Sequence, residues 1–135
     1  MAEILRPMGA RPLSPNWQGW RWHVTMTASI LHRLAGMAIY AGLLILMGWL
    51  IALRAGEAAF SAYAGVLASP IGLIVLFLIT LALLFHLANG VRHFAWDLGF
   101  GFAPKTADAT AWGAFAFAAV VNLLFWLLLA MRGSL

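Results

Sequence analysis

Cysteine is absent from this 135-residue chain, which excludes disulfides, thiolate-bound iron–sulfur clusters and thiol catalysis. Charge is scarce too: only 9% of the residues are Asp, Glu, Lys or Arg, against about a quarter in a soluble domain. No run of Lys or Arg exists, so the net charge of +4 does not point to nucleic acid. The first 28 residues lack the basic-then-apolar order of an export signal, because Pro7, Pro12, Pro15 and several arginines interrupt them. A nucleotide-binding glycine motif and a nucleophilic triad are missing, as are internal repeats and low-complexity tracts.

Apolar residues are abundant instead, at 64% of the chain. A small soluble fold keeps much of its surface wet and cannot hide that share, so lipid must be the solvent for most of it. Three uncharged runs carry the excess: Leu34 to Leu53, Ile71 to Val91 and Ala109 to Met131. The first has 20 residues, the length that a hydrocarbon core about 30 Å thick requires. Arg54, Arg92 and Arg132 close the three runs, and Pro70 precedes the second where a missing N–H costs nothing. The fold expected is an all-α membrane protein with three transmembrane helices, at about 29–54, 70–93 and 108–132, forming one domain over 29–135. Residues 55–69 and 94–108 read as connections, and residues 1–28 as an interfacial segment. In that segment Arg11-Pro12-Leu13-Ser14-Pro15 is extended or turning, Trp17, Trp20 and Trp22 follow, and a Ser or Thr between 25 and 29 is expected to cap the first helix.

The basic residues are asymmetric. If three helices cross, Arg6, Arg11, Arg21, Arg33, Arg92 and Lys105 lie on one side and only Arg54 and Arg132 on the other. This bias places the N-terminus inside and the C-terminus outside. Trp20, Trp22, Trp96 and Trp112 then gather near the inner interface and Trp49 near the outer one.

His86 carries the most information. It sits six positions before Arg92, about 9 Å deeper along the helix. An ionisable side chain there is costly without a partner, so function is the default reading within a bilayer, and a neutral imidazole can bind a haem iron axially. The plainer alternative is a histidine hydrogen-bonded to a neighbouring helix. His86, Gly90, His93 and Asp97 follow one stripe, with Gly90 leaving room for a flat macrocycle or another backbone. His93 can donate to an anionic group such as a haem propionate, and Asp97 can hold His93 or Arg92. Asn89 and Arg92 point elsewhere on the helix.

Ser29, His32 and Arg33 share a face of the first helix. With the deduced orientation they lie at the depth of the His86–His93 stripe, and the two sets can share one pocket. Ser29 can hydrogen-bond a carbonyl oxygen, and Arg33 can neutralise a propionate or a quinone oxygen that gathers charge on reduction. Taken singly, a capping serine and a snorkelling arginine explain them as well. Asn122, deep in the third run, is expected to bond between helices. His23 and Glu57 read as interfacial.

Two ordered motifs make the chain resemble a known family. Arg11-Pro12-Leu13-Ser14-Pro15, Trp20-Arg21-Trp22, Ser29-Ile30-Leu31-His32-Arg33 and Gly36 resemble the start of the cytochrome b subunits of succinate dehydrogenase, respiratory complex II. His86 to His93, with Asp97 and Gly99, resembles that family's second signature, H-x-x-x-G-x-R-H-x-x-x-D-x-G. The resemblance implies a membrane anchor in the cytoplasmic membrane, or the mitochondrial inner membrane of a eukaryote. It implies pairing with a second membrane-anchor subunit, beneath an iron–sulfur subunit and a flavoprotein subunit. It implies haem b, with His86 as axial ligand to the iron and His32, Arg33 and His93 around the propionates. It also implies a ubiquinone site lined by Ser29 and Arg33, with no catalysis by this chain alone. Two other readings stay open: a fumarate reductase anchor working in the opposite direction, and a cofactor-free helical subunit whose histidines relay protons or pack helices.

Overall fold

A computed structural model describes residues 22–133 of the chain. The described residues form helices and turns and no strand: α1 (Val24–Ala55), α2 (Glu57–Leu67), α3 (Pro70–Asp97) and α4 (Pro104–Met131). The three long helices have 32, 28 and 28 residues and are apolar enough to cross a membrane. At 1.5 Å per residue, even the shorter two exceed a hydrocarbon core about 30 Å thick. The chain is an all-α membrane protein with three such helices.

Each long helix overruns the apolar stretch that announces it. α1 starts at Val24 rather than near 29, α3 continues past 93 to Asp97, and α4 starts at Pro104 rather than near 108. Charged side chains mark where hydrocarbon ends, whereas the backbone ladder can continue beyond it. Residues 1–21 are outside the described ones, and with them the Pro-rich turn, Trp17 and Trp20.

Local chemistry explains most of the helix starts. Pro70 and Pro104 both stand in the first turn of their helices, and the Ser69 hydroxyl accepts from the Gly72 N–H at 3.1 Å. α1 departs from expectation. It is entered from an extended His23 with no side-chain cap, and the candidate capping residues lie inside the helix. Thr25 is used across the bundle instead, donating to Asp108 Oδ1 at 2.6 Å.

α2 lies where only a connection was expected. Gly56, at φ 105°, makes the reversal after α1 in a conformation that L side chains rarely adopt. α2 then returns against the last turns of α1. Phe60 meets the Trp49 ring edge-on at 5.9 Å, and the Tyr63 hydroxyl donates to the Ile45 carbonyl at 2.8 Å.

α3 packs against both α1 and α4, which touch each other less extensively. The core between them is made largely of small residues, Ala28, Ala35, Ala111, Ala114 and Ala118, with Phe85 stacked on Phe115 at 4.8 Å. Small side chains bring backbones close, the basis of helix association when lipid removes the hydrophobic drive. Towards the other end of α3, Asn122 Nδ2 donates to the Phe77 carbonyl at 3.4 Å, bonding between helices as expected. Trp126 Nε1 reaches Thr80 Oγ1 at 2.9 Å beside it. Leu, Ile, Val, Met and Phe side chains along all three helices are exposed, as lipid-facing surfaces require.

Candidate functional site

The end of the bundle formed by the start of α1, the end of α3 and the start of α4 collects most of the polar side chains. His32 on α1 lies between two imidazoles of α3. Its ring stacks on His86 with centroids 3.9 Å apart and planes at 16°, and on His93 at 5.0 Å and 19°. The two sets of residues inferred from spacing on separate helices are thus brought together through their histidines.

Each α3 imidazole is tethered to a peptide oxygen. His86 Nδ1 lies 3.1 Å from the His32 carbonyl, across the helix pair, and His93 Nδ1 lies 2.7 Å from the Asn89 carbonyl on its own helix. A carbonyl can only accept, so both rings carry their proton on Nδ1. The His86 Nε2 lone pair is then available to a metal ion lying in the plane of its ring. Binding one ring nitrogen of a histidine to a main-chain oxygen is a common way of orienting the other for a metal. His32 Nδ1 is buried with no hydrogen-bond partner among the described residues. The three rings are stacked rather than convergent, so their lone pairs do not meet at one point. No cluster of three or more His, Cys, Asp or Glu that could chelate an ion occurs among the described residues. The arrangement suits a centre that takes a single imidazole from this chain.

The remaining predicted residues are placed as follows. Ser29 is half-buried and Arg33 exposed, on the face of α1 next to the stack, and neither hydrogen-bonds another described residue. Gly90 faces open space, since a Cβ there would meet nothing within 4 Å. Asp97 holds neither His93 nor Arg92: it is exposed at the last residue of α3, beyond their reach. His23 is exposed beside the first turn of α1.

Spacing alone did not reveal the polar clamp on the α4-facing flank of α3, beside the histidines. Asn89 is fully buried and Arg92 is 8% exposed. Arg92 donates from Nε to Thr110 Oγ1 at 3.2 Å, from Nη2 to the Ala107 carbonyl at 3.0 Å, and from Nη1 to Asn89 Oδ1. Its guanidinium also lies 4.8 Å from the Trp96 ring centre. Trp96 in turn donates to the Gly101 carbonyl at 3.3 Å, closing the turn into α4. The available signal was the i, i+3 spacing of Asn89 and Arg92, both away from the histidine stripe. The clamp fixes α4 to α3 beside the imidazoles, and Thr25–Asp108 fixes α4 to α1.

A cavity of about 470 Å³ opens between the helices, lined by Leu34, Ala38, Leu81, Phe115 and neighbouring apolar residues. Ser29 and Arg33 are on the other side of α1 from this lining, so this cavity is not the polar site.

Comparison with known proteins bears on the same residues. Residues 9–125 match the family described as succinate dehydrogenase/fumarate reductase transmembrane subunit, a range that includes both motifs and the clamp. The chain is 34% identical over 130 residues to the succinate dehydrogenase cytochrome b556 subunit of Paracoccus denitrificans, covering 93% of this chain and 98% of that protein. It is 33% identical over 116 residues to the cytochrome b556 subunit of Rickettsia felis, covering 86% and 90% respectively. Against the mitochondrial cytochrome b560 subunit of Homo sapiens the figures are 36% over 96 residues, 67% of this chain and 55% of the relative. With the match covering the first two long apolar helices and most of the third, the chain belongs to the succinate dehydrogenase/fumarate reductase transmembrane subunit family.

Proposed function

We propose that this chain is the membrane-anchor cytochrome b subunit of a succinate dehydrogenase, holding haem b together with a second anchor subunit and helping to form the site where ubiquinone is reduced. The observation that carries this reading is the tether between His86 Nδ1 and the His32 carbonyl, which directs Nε2 away as a free lone pair. A haem iron can be held by one ring nitrogen of a histidine, and this chain offers one properly oriented imidazole, leaving a further ligand to the second anchor subunit. The open face at Gly90 and the unpartnered, buried His32 Nδ1 fit a flat polar-edged group nearby. The three relatives described above are each named as a succinate dehydrogenase cytochrome b subunit, which supports the same assignment.

Haem, when bound, supplies reversible one-electron storage; this chain supplies placement and charge. His86 would hold the haem iron through Nε2. His32 and His93 offer ring N–H groups, and Arg33 a fixed positive charge, to the propionates. Ser29 and Arg33, side by side on α1, hold the quinone carbonyl as its oxygen gains charge, the hydroxyl by donating a hydrogen bond and the guanidinium by electrostatic attraction. The chain by itself performs no succinate oxidation. That chemistry belongs to a flavoprotein subunit, from which an iron–sulfur subunit carries electrons to the membrane. The excess of Lys and Arg at the N-terminal end of the bundle orients that end towards the inside of the inner membrane, where those two subunits dock.

An absorption spectrum of the purified complex tests the assignment. The reduced-minus-oxidised b-type signal should be present in the wild type and lost in His86→Ala. A fully assembled wild-type complex without haem would instead favour histidines that serve only packing or proton relay.

A further inference from the structure

His86 reaches the His32 carbonyl at a point where α1 has no side chain. A Cβ added to Gly36 would lie 3.3 Å from Cε1 and 3.7 Å from Nδ1 of His86, the first closer than ordinary van der Waals contact. His32 is four residues before Gly36, so in the helix its carbonyl also accepts the Gly36 N–H. The same oxygen therefore serves two donors, and residue 36 stands beside the second of them. The bare backbone at this position lets the imidazole lie flat against α1 and stack on His32 at 3.9 Å.

We propose that Gly36 is a positioning residue for His86, holding the imidazole as the Nδ1–H tautomer with Nε2 turned towards the cofactor. The proposal rests on the axial-ligand reading above. Its physical content is that the hydrogen bond at Nδ1 strengthens Nε2 as an electron donor, and that a methyl group at residue 36 lengthens that bond by displacing the ring. A weaker donor favours the reduced iron. The effect is thus electronic and geometric at one atom, not a general loosening of the helix pair.

The test uses the assembled complex and a matched control. Gly42 lies further along the same helix contact, where an added Cβ would meet Ile79 Cγ2 at 2.7 Å and would not touch His86. Gly36→Ala is expected to move the haem midpoint potential upward and to change the low-spin electron paramagnetic resonance g values. Gly42→Ala should leave both at wild-type values. The fall in thermal midpoint caused by Gly36→Ala should shrink by at least half in a His86→Ala background, where the ring it presses on is gone. If Gly36→Ala blocks assembly, restoration in the Gly36→Ala/His86→Ala double variant supports the proposal and continued failure overturns it. Haem-loaded Gly36→Ala complex with unmoved potential and g values overturns the proposal alone. A wild-type complex without haem overturns the axial-ligand reading and the proposal with it.

Discussion

The imidazoles of His32 and His86 lie face to face across the α1–α3 contact, 3.9 Å between centroids and 16° between planes. The pair is joined a second time through the backbone, by the 3.1 Å approach of His86 Nδ1 to the His32 carbonyl. A stacked and tethered ring has few rotamers left, so the free nitrogen of His86 is held in a defined direction. On α1, Ser29 and Arg33 flank this fixed point and hydrogen-bond no other described residue.

Those two side chains should matter for quinone and not for succinate. In Ser29→Ala and Arg33→Leu complexes, succinate-to-quinone turnover is expected to fall by roughly 10- to 1000-fold, the scale of losing a group that stabilises developing charge. Succinate oxidation with an artificial acceptor on the flavin side should persist. Steady-state assays with both acceptors check this, and unchanged quinone reduction in both variants would remove the assignment.

Arg92 and Asn122 are both polar and buried, yet their replacement should differ in cost. Arg92→Met removes three hydrogen bonds and leaves the buried Asn89 Oδ1 without its donor, while the Ala107 carbonyl keeps the Thr110 hydroxyl. A loss of about 2–3 kcal/mol is expected, the scale for a charged hydrogen-bonding group. Asn122→Leu removes one long bond of 3.4 Å together with a buried Oδ1 that has no partner among the described residues. Its cost should stay within about 1 kcal/mol, since interhelical bonds in lipid are individually weak. Thermal unfolding of the two variants in the same detergent gives the comparison, and equal destabilisation would contradict it.

The absence of cysteine makes orientation directly measurable. Single cysteines introduced as Lys105→Cys and Glu57→Cys fall in the first turn of α4 and the first turn of α2, both exposed. A membrane-impermeant thiol reagent applied from outside intact cells or right-side-out vesicles should label residue 57 and spare residue 105. The opposite pattern would invert the orientation deduced from the Lys and Arg distribution.

Much of this architecture was legible from hydropathy, because a bilayer demands about 20 apolar residues in a row and few other folds supply them. The meeting of His32 with His86 followed from helix periodicity plus the assumption of antiparallel neighbours. α2 was not legible. Its eleven residues are too few to span, and its packing depends on Trp49 and Ile45, each more than ten positions before its partner, Phe60 or Tyr63. Thr25 looked like a cap because its partner Asp108 is 83 residues away. Arg92 looked like a span terminator because a lone arginine after an apolar run usually is one, and only the approach of Thr110 and Ala107 on α4 turns it inward. The errors share a cause: each concerns a polar group whose partner lies on another helix.

Anchoring His86 to a peptide oxygen has a mechanical consequence. A side-chain acceptor could swing or be exchanged, but a main-chain oxygen moves only with its helix. Any tilt, piston shift or rotation imposed on α1 from outside the bundle is therefore passed to the ring of His86 without an intervening hinge.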